Sequence, residues 1–219
     1  MGALRLLVAS GNEIARKGLC ALAREQSGWE IVAEACDGRE AVERTKQIKP
    51  DVAIIDMDLP SLNGLEATRR IAKGALPTKV LLLASHDTDQ ILPQILDAGA
   101  HGYLIKSDPA DDLVSAVEAL SQGILFFTAK DARRILDEYS ETLKKMGKAG
   151  DEDARQLTGR QREILQLLAE GFSCKQLAVV LKISTKTAET HRVNLMKKID
   201  CHSVAEVVRY AIRNHIIEA

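Results

Sequence analysis

Short apolar runs alternate with amphipathic stretches over the first 125 residues. LRLLVA (4–9), EIVAEA (30–35), DVAIID (51–56), KVLLLA (79–84) and GYLIK (102–106) are compact, partly β-branched and bounded by polar or turn-forming residues, which predicts strands. Between and after them, segments 13–26, 38–48, 64–73, 87–98 and 110–122 place apolar residues at helical spacing. Five strand–helix units in succession predict an α/β domain with a doubly wound parallel sheet and helices on both faces. Right-handed crossovers place any site beyond the C-terminal ends of the strands. Ser10–Gly11, Asp56, Ala84–Ser85 and Lys106 converge there.

The pattern changes after residue 125. Ala132, Ile135, Leu136, Tyr139 and Leu143 form a helical stripe, which suits either a dimerising helix or one lying on its own first domain. Phe126 and Phe127 precede it and could anchor the segment. The charged, glycine-containing run GKAGDEDARQ (147–156) reads as a joint. The expected organisation is a first domain over 1–124, a partly helical linker over 125–156, and a second domain over 157–219.

Residues 158–217 read as four short helices, each behind its own start signal. Thr158 is followed by Gln161, Ser173 by Gln176 and Ser203 by Glu206, three capping-box patterns, and Ser184 opens the third helix. Gly171 stands where the first should stop. Helices this short must pack on one another to persist. On the third, Ala188, His191, Leu195 and Ile199 share one face. Lys186, Thr190, Val193 and Lys197 share the opposite one, flanked by Glu189 and Asn194. Such an outer face suits the DNA major groove, whose base edges carry a readable code.

Charge supports that division of labour. Residues 1–125 carry 13 basic against 18 acidic side chains, 126–157 carry 7 against 7, and 158–219 carry 10 against 6. Only the last segment has the sign that suits a phosphate backbone. The four cysteines, Cys20, Cys36, Cys174 and Cys201, lack metal-site or disulfide spacing. No apolar run approaches a membrane span and no signal-peptide pattern opens the chain, so a cytoplasmic protein away from the membrane is expected. There is also no glycine-rich phosphate or dinucleotide loop and no nucleophile elbow, so no enzyme is expected.

LTGRQREILQLLAEGFSCKQLAVVLKISTKTAETHRVNLMKKIDCHSVAEVVRYAI resembles the LuxR-type helix-turn-helix domain nearly end to end, with Glu163, Gly171, Lys175, Ala178, Leu181, Thr187, Glu189, His191 and Lys198 at that pattern's positions. The resemblance implies an all-α four-helix DNA-binding domain whose third helix enters the major groove and whose fourth dimerises. Lys175, Lys186, Thr187, Arg192 and Lys197 are then candidate phosphate contacts. Glu189, Thr190, Val193 and Asn194 are candidate base contacts. Val204, Val207, Val208 and Ala211 are candidates for the dimer face.

PDVAIIDMDLPSLNGLEATRRI and LDAGAHGYLIKSDPADDLVSAV similarly resemble the receiver domain of response regulators, making the whole chain similar to the NarL/FixJ type. That implies strand order 2-1-3-4-5, Asp56 as the phosphoacceptor candidate, Lys106 as the phosphate-pairing lysine and Tyr103 as the switch aromatic. The chain departs from the pattern at three positions. Ser10 and Gly11 stand where two metal-holding acids are expected, and Ala84 where a phosphoryl-contacting Ser or Thr is expected. Ser85 follows one residue late, with strand alternation aiming it elsewhere. Asp58 and Glu13 are nearby acids that could substitute, but the resemblance gives position 58 a backbone-carbonyl role, so rescue by the Asp58 side chain is not expected. Phosphoryl transfer to a carboxylate sets negative charge against negative charge, and a bridging metal is the usual remedy. The expectation is a degenerate receiver, poorly phosphorylated or not at all, with no resident cofactor and Mg²⁺ doubtful, and with Lys106 pairing directly with Asp56. The expected partners are double-stranded DNA, a second copy of the chain, and a histidine kinase or other protein on the receiver. A conventional receiver that uses Asp56, and an adaptor with a vestigial tail, are the alternatives.

Overall fold

A computed structural model describes residues 2–85, 91–127 and 157–217. The chain divides into two compact units, Met1–Lys144 and Lys145–Ala219.

The first unit is a five-stranded parallel sheet of order β2-β1-β3-β4-β5. Its strands are β1 Leu4–Ala9, β2 Trp29–Ala35, β3 Val52–Asp56, β4 Lys79–Ala84 and β5 Gly102–Ile105. Its helices are α1 Glu13–Glu25, α2 Gly38–Ile48, α3 Gly64–Lys73, α4 Leu92–Asp97 and α5 Ala110–Ser121. The predicted elements match within one or two residues, except that α4 begins at Leu92; residues 87–90 of the expected helix lie outside the described residues.

Alternation along the strands divides the core in two. Leu7, Ala53, Ile55 and Leu82 belong to one cluster, with Val42, Leu65 and Ile71 from α2 and α3. Leu6, Val8, Val52, Ile54, Leu81 and Leu83 belong to the other, with Cys20 of α1 and Leu113, Val117 and Leu120 of α5. Central strands buried on both faces are what near-continuous apolar runs encode. Polar side chains fix where α1, α2 and α3 begin. Asn12 accepts from the Ile14 and Ala15 amides, Asp37 from Arg39 and Glu40, and Asn63 from Glu66. The chain after α5 returns to the sheet edge: Tyr103 N donates to Phe126 O at 3.1 Å and Phe126 N to His101 O at 3.0 Å. Phe126 and Phe127 pack against opposite core clusters. Most of the expected linker, 128–156, with its apolar stripe and joint, lies outside the described residues.

The second unit contains α6 Gly159–Ala169, α7 Cys174–Leu181, α8 Thr185–Lys198 and α9 Val204–Arg213. Thr158–Gln161 and Ser173–Gln176 form complete capping boxes. The third box is displaced. Ser203 accepts from the Glu206 amide, but the Glu206 carboxylate takes the His202 amide at 2.6 Å, one residue ahead of the cap. That bond, with the Ser203 amide and neighbouring positive charge, lowers the Glu206 pKa. Gly171 has φ +89°, the left-handed turn that stops α6. Leu165, Leu167, Leu177, Ala188, Leu195, Val207 and Ala211 form the core. No helix among the described residues is long and apolar enough to cross a membrane.

Candidate phosphoacceptor pocket and nucleic-acid interface

Asp56 ends β3 with its side chain buried. Its neighbours arrive from separate strand ends. Ser10, just past β1, donates its hydroxyl to Asp56 Oδ2 at 2.8 Å. Lys106, just past β5, places Nζ 2.7 Å from Asp56 Oδ1, and the Asp58 amide donates to the same oxygen at 3.1 Å. Both oxygens of the carboxylate therefore have partners. Arg16 of α1 holds the serine's backbone, donating from Nη1 to Ser10 O at 2.8 Å, and pairs with Glu34 at 3.4 Å. Sequence reading did not single out Arg16, because a long side chain folding back to a carbonyl leaves no periodic trace.

One expectation is corrected here. Ser85 lies beyond the last residue of β4, so strand alternation does not govern it. Its hydroxyl turns toward Asp58 and donates to Oδ2 at 2.7 Å. The Asp58 carboxylate also meets the lysine: Lys106 Nζ lies 3.1 Å from the same oxygen and 3.0 Å from Ser85 Oγ. Lys106 thus bridges two carboxylates and a hydroxyl. Burial opposes its charge, but the hydrogen bonds and negative charges of Asp56 and Asp58 outweigh burial, and its pKa is raised. Ala84 is buried in the core cluster on the α2–α3 face. Tyr103 is also buried, 3% exposed, in that cluster. Asp56 and Lys106 border a cavity of about 290 Å³ whose walls include Ala15, Leu19, Leu83, Leu104 and Leu113.

Among the described residues, the carboxylates at this site are Asp56 and, beside Lys106, Asp58. Mg²⁺ favours several oxygen donors, carboxylates foremost. Asp56 is engaged on both oxygens, the Ser10 proton is directed at Asp56, and Gly11 has no side chain. A Cβ built on Gly11 would stand 2.8 Å from Pro60 Cδ, so an acid there needs the proline to shift. Elsewhere, Cys36, Asp37 and Glu40 bring three ligand atoms within 4.8 Å of one another. Their atoms already serve the start of α2, where the Cys36 amide and thiol both meet Glu40 Oε2 and Asp37 caps the helix. The Glu40 hydrogen bond raises the Cys36 thiol pKa, opposite to what a metal-binding thiolate needs.

In the second unit α8 separates its faces as its sequence predicts. Ala188 and Leu195 are fully buried, while Lys186, Thr187, Glu189, Thr190, Val193, Asn194 and Lys197 are exposed. Arg192 is half-buried, and Lys175 is exposed near the start of α7. Ser184 caps α8, accepting from the Thr187 amide at 3.0 Å, and its hydroxyl pairs with Thr187 Oγ1 at 2.7 Å. Beneath, Arg160 joins α6 to the end of α7, donating to buried Glu163 at 2.9 Å and to Leu181 O at 3.2 Å. The expected dimer face divides. Val207 and Ala211 are 1% and 0% exposed and belong to the domain's own core, so they present nothing to a second copy. Val204 is 52% exposed and Val208 half-buried. Periodicity marks an apolar face without saying how much of it the domain itself covers.

Comparison with known proteins agrees with this geometry. The family described as the response regulator receiver domain matches residues 6–118. That described as bacterial regulatory proteins, luxR family, matches residues 155–211. The oxygen regulatory protein NreC of Staphylococcus carnosus is 31% identical over 216 residues, 98% of this chain and 100% of that protein. Response regulator ChrA of a heme-sensing two-component system is 30% identical, with 99% of this chain and 100% of that one covered at a TM-score of 0.53. The receiver domain of the putative response regulator NarL from Mycobacterium tuberculosis is 32% identical over 56% of this chain and 99% of its own, with a TM-score of 0.55. A sheet of order 2-1-3-4-5 whose third strand ends in a buried aspartate, with a capped four-helix array and these matches, places this chain among the two-component response regulators: it belongs to the family of DNA-binding transcription regulators that join a receiver domain to a LuxR-type helix-turn-helix domain.

Proposed function

We propose that this regulator binds duplex DNA as a two-fold dimer through the outer face of α8, and that its receiver operates without efficient metal-dependent phosphorylation. The observation that supports the second statement is the Ser10–Asp56 hydrogen bond at 2.8 Å. A neutral donor stands where the resemblance calls for a metal-holding acid. An attacking carboxylate must bring an unshared pair in line with a phosphoryl group while the approaching charges are neutralised. Here the serine proton and the lysine ammonium occupy both oxygens of Asp56, and the cation paired with Asp56, Lys106, is shared with Asp58. The receiver then signals by protein contact, with a second copy, a histidine kinase or another partner as candidates, and the chain works in the cytoplasm.

The test is to incubate the intact protein with Mg²⁺ and a small phosphodonor and measure its mass, with Asp56→Asn alongside. The expected result is no phosphate-sized gain while salt-dependent duplex binding is kept. A gain that vanishes in Asp56→Asn overturns the proposal and restores a conventional receiver. DNA binding rests on separate features: four exposed basic or hydroxyl groups, Lys175, Lys186, Thr187 and Lys197, border the exposed methyl and amide groups of α8. Absence of salt-dependent duplex binding would remove that part of the reading.

A further inference from the structure

Lys186, Thr190, Val193 and Lys197 follow one another at spacings of four, three and four, which sets them in one line along the exposed side of α8. Eleven residues at 1.5 Å each make the line roughly 16 Å long, with a cation at each end. What lies between the cations is largely apolar. Val193 is 63% exposed and has no polar atom in its side chain. Thr190 does have one, but its hydroxyl is turned back along the helix and donates to Lys186 O at 3.0 Å. A threonine carries its hydroxyl and its methyl on the same Cβ, so holding Oγ1 against the preceding turn fixes the methyl as well, away from that carbonyl. The hydroxyl proton is already committed within the helix. The centre of the line is therefore presented as methyl groups.

We propose that this strip selects thymine by its C5 methyl, with the Thr190 methyl and Val193 as the specificity-determining contacts and Lys186 and Lys197 anchoring on phosphates to either side. The inference rests on the reading of α8 as the DNA-contacting helix. Among base edges in the major groove only thymine presents a methyl; the other distinguishing groups are hydrogen-bond donors and acceptors. A valine offers none of these in return, so an unmethylated base beneath it gains nothing and loses hydration of its own edge. Glu189 and Asn194 flank the strip and are exposed, leaving hydrogen-bonded readout to positions beside the methyl contacts.

The test uses the intact protein and double-stranded DNA selected from a random pool at moderate salt. The selected duplexes are then remade with uracil for thymine, one position at a time, which removes the C5 methyl and nothing else. Thymine is expected at adjacent or near-adjacent core positions of the selected sites, and each uracil there should weaken binding about three- to five-fold, the effect of withdrawing one buried methyl. Thr190→Val keeps the methyl and loses the hydroxyl, so it should still discriminate thymine from uracil. Thr190→Ser keeps the hydroxyl and loses the methyl, so it should bind thymine and uracil alike at one position, and Val193→Ala should do so at another. Uracil substitution without effect overturns the inference, as does the reverse pattern in which Thr190→Ser is intact and Thr190→Val is not. Failure of any duplex to be selected overturns both this inference and the assignment of α8 to DNA.

Discussion

The Ser10 hydroxyl donates to Asp56 Oδ2 at 2.8 Å, joining the end of the first strand to the end of the third inside a buried site. The two residues are 46 positions apart. Their bond gives an otherwise solvent-deprived carboxylate oxygen a neutral partner, while Lys106 neutralises the other oxygen.

Removing that donor leaves a buried carboxylate oxygen short of one hydrogen bond. Ser10→Ala should lower receiver stability by about 1–3 kcal/mol. The chain's single tryptophan, Trp29, packs against the core of this unit, so its fluorescence in urea reports receiver unfolding. An unchanged midpoint would mean that water replaces the serine without loss.

Replacing the serine by an acid reverses its effect. Ser10→Asp sets a second carboxylate beside Asp56, so the variant should be less stable in metal-free buffer and should regain stability as Mg²⁺ is added, since a ligand bound only by the folded state stabilises it in proportion to the logarithm of its concentration. The parent protein should show no such Mg²⁺ dependence in the same fluorescence titration. A parent that Mg²⁺ stabilises as much as the variant would contradict a receiver that operates without efficient metal-dependent phosphorylation.

The Lys106 pKa is raised in the folded protein from the ordinary lysine value of 10.5. The contribution of its pairing is therefore complete below pH 10.5 and is lost as pH rises through the higher folded value. Above about pH 10.5 the parent should lose stability faster than Lys106→Met, which has no such charge to lose. Urea midpoints for both proteins across that window make the comparison, and parallel curves would sink it.

Ser184 starts the helix that faces DNA. Ser184→Ala removes the acceptor for the Thr187 amide and the hydroxyl partner of Thr187 Oγ1. A lost N-cap typically costs about 1 kcal/mol. The α-helical circular dichroism signal should melt earlier, and duplex affinity should fall with it, because Lys186 and Thr187 sit in the loosened first turn.

Lys186→Ala should act differently. Its loss should weaken binding to all duplex sequences alike and flatten the dependence of log K on log salt by about one, the signature of a single phosphate contact. A change in sequence preference with an unaltered slope would place Lys186 on a base instead.

Much of the architecture was legible because its determinants are local. Five apolar runs and five helical periods fixed the order of elements, and nearly every bound agrees. Thr158 and Ser173 cap as their spacing predicts, since a capping box involves residues three apart. Where a local rule met a competing neighbour it slipped, as when Glu206 took its short hydrogen bond from the His202 amide, one residue ahead of the cap. The outer face of α8 was legible for the same reason, its inward positions being Ala188 and Leu195.

The sequence by itself determined the two folds, the position of Asp56 and Lys106 at strand ends, and the face that α8 exposes, because periodicity, capping and strand termination act over a few residues. Only the tertiary structure decided that Ser85 and Asp58 join the lysine, that Arg16 steadies Ser10, and that Val207 and Ala211 belong to the core. Ser85 and Asp58 are 27 positions apart, and Lys106 and Asp58 are 48 apart. Which side chains meet across such separations is set by sheet register and by how far each chain end overshoots its strand, and neither leaves a period in the sequence.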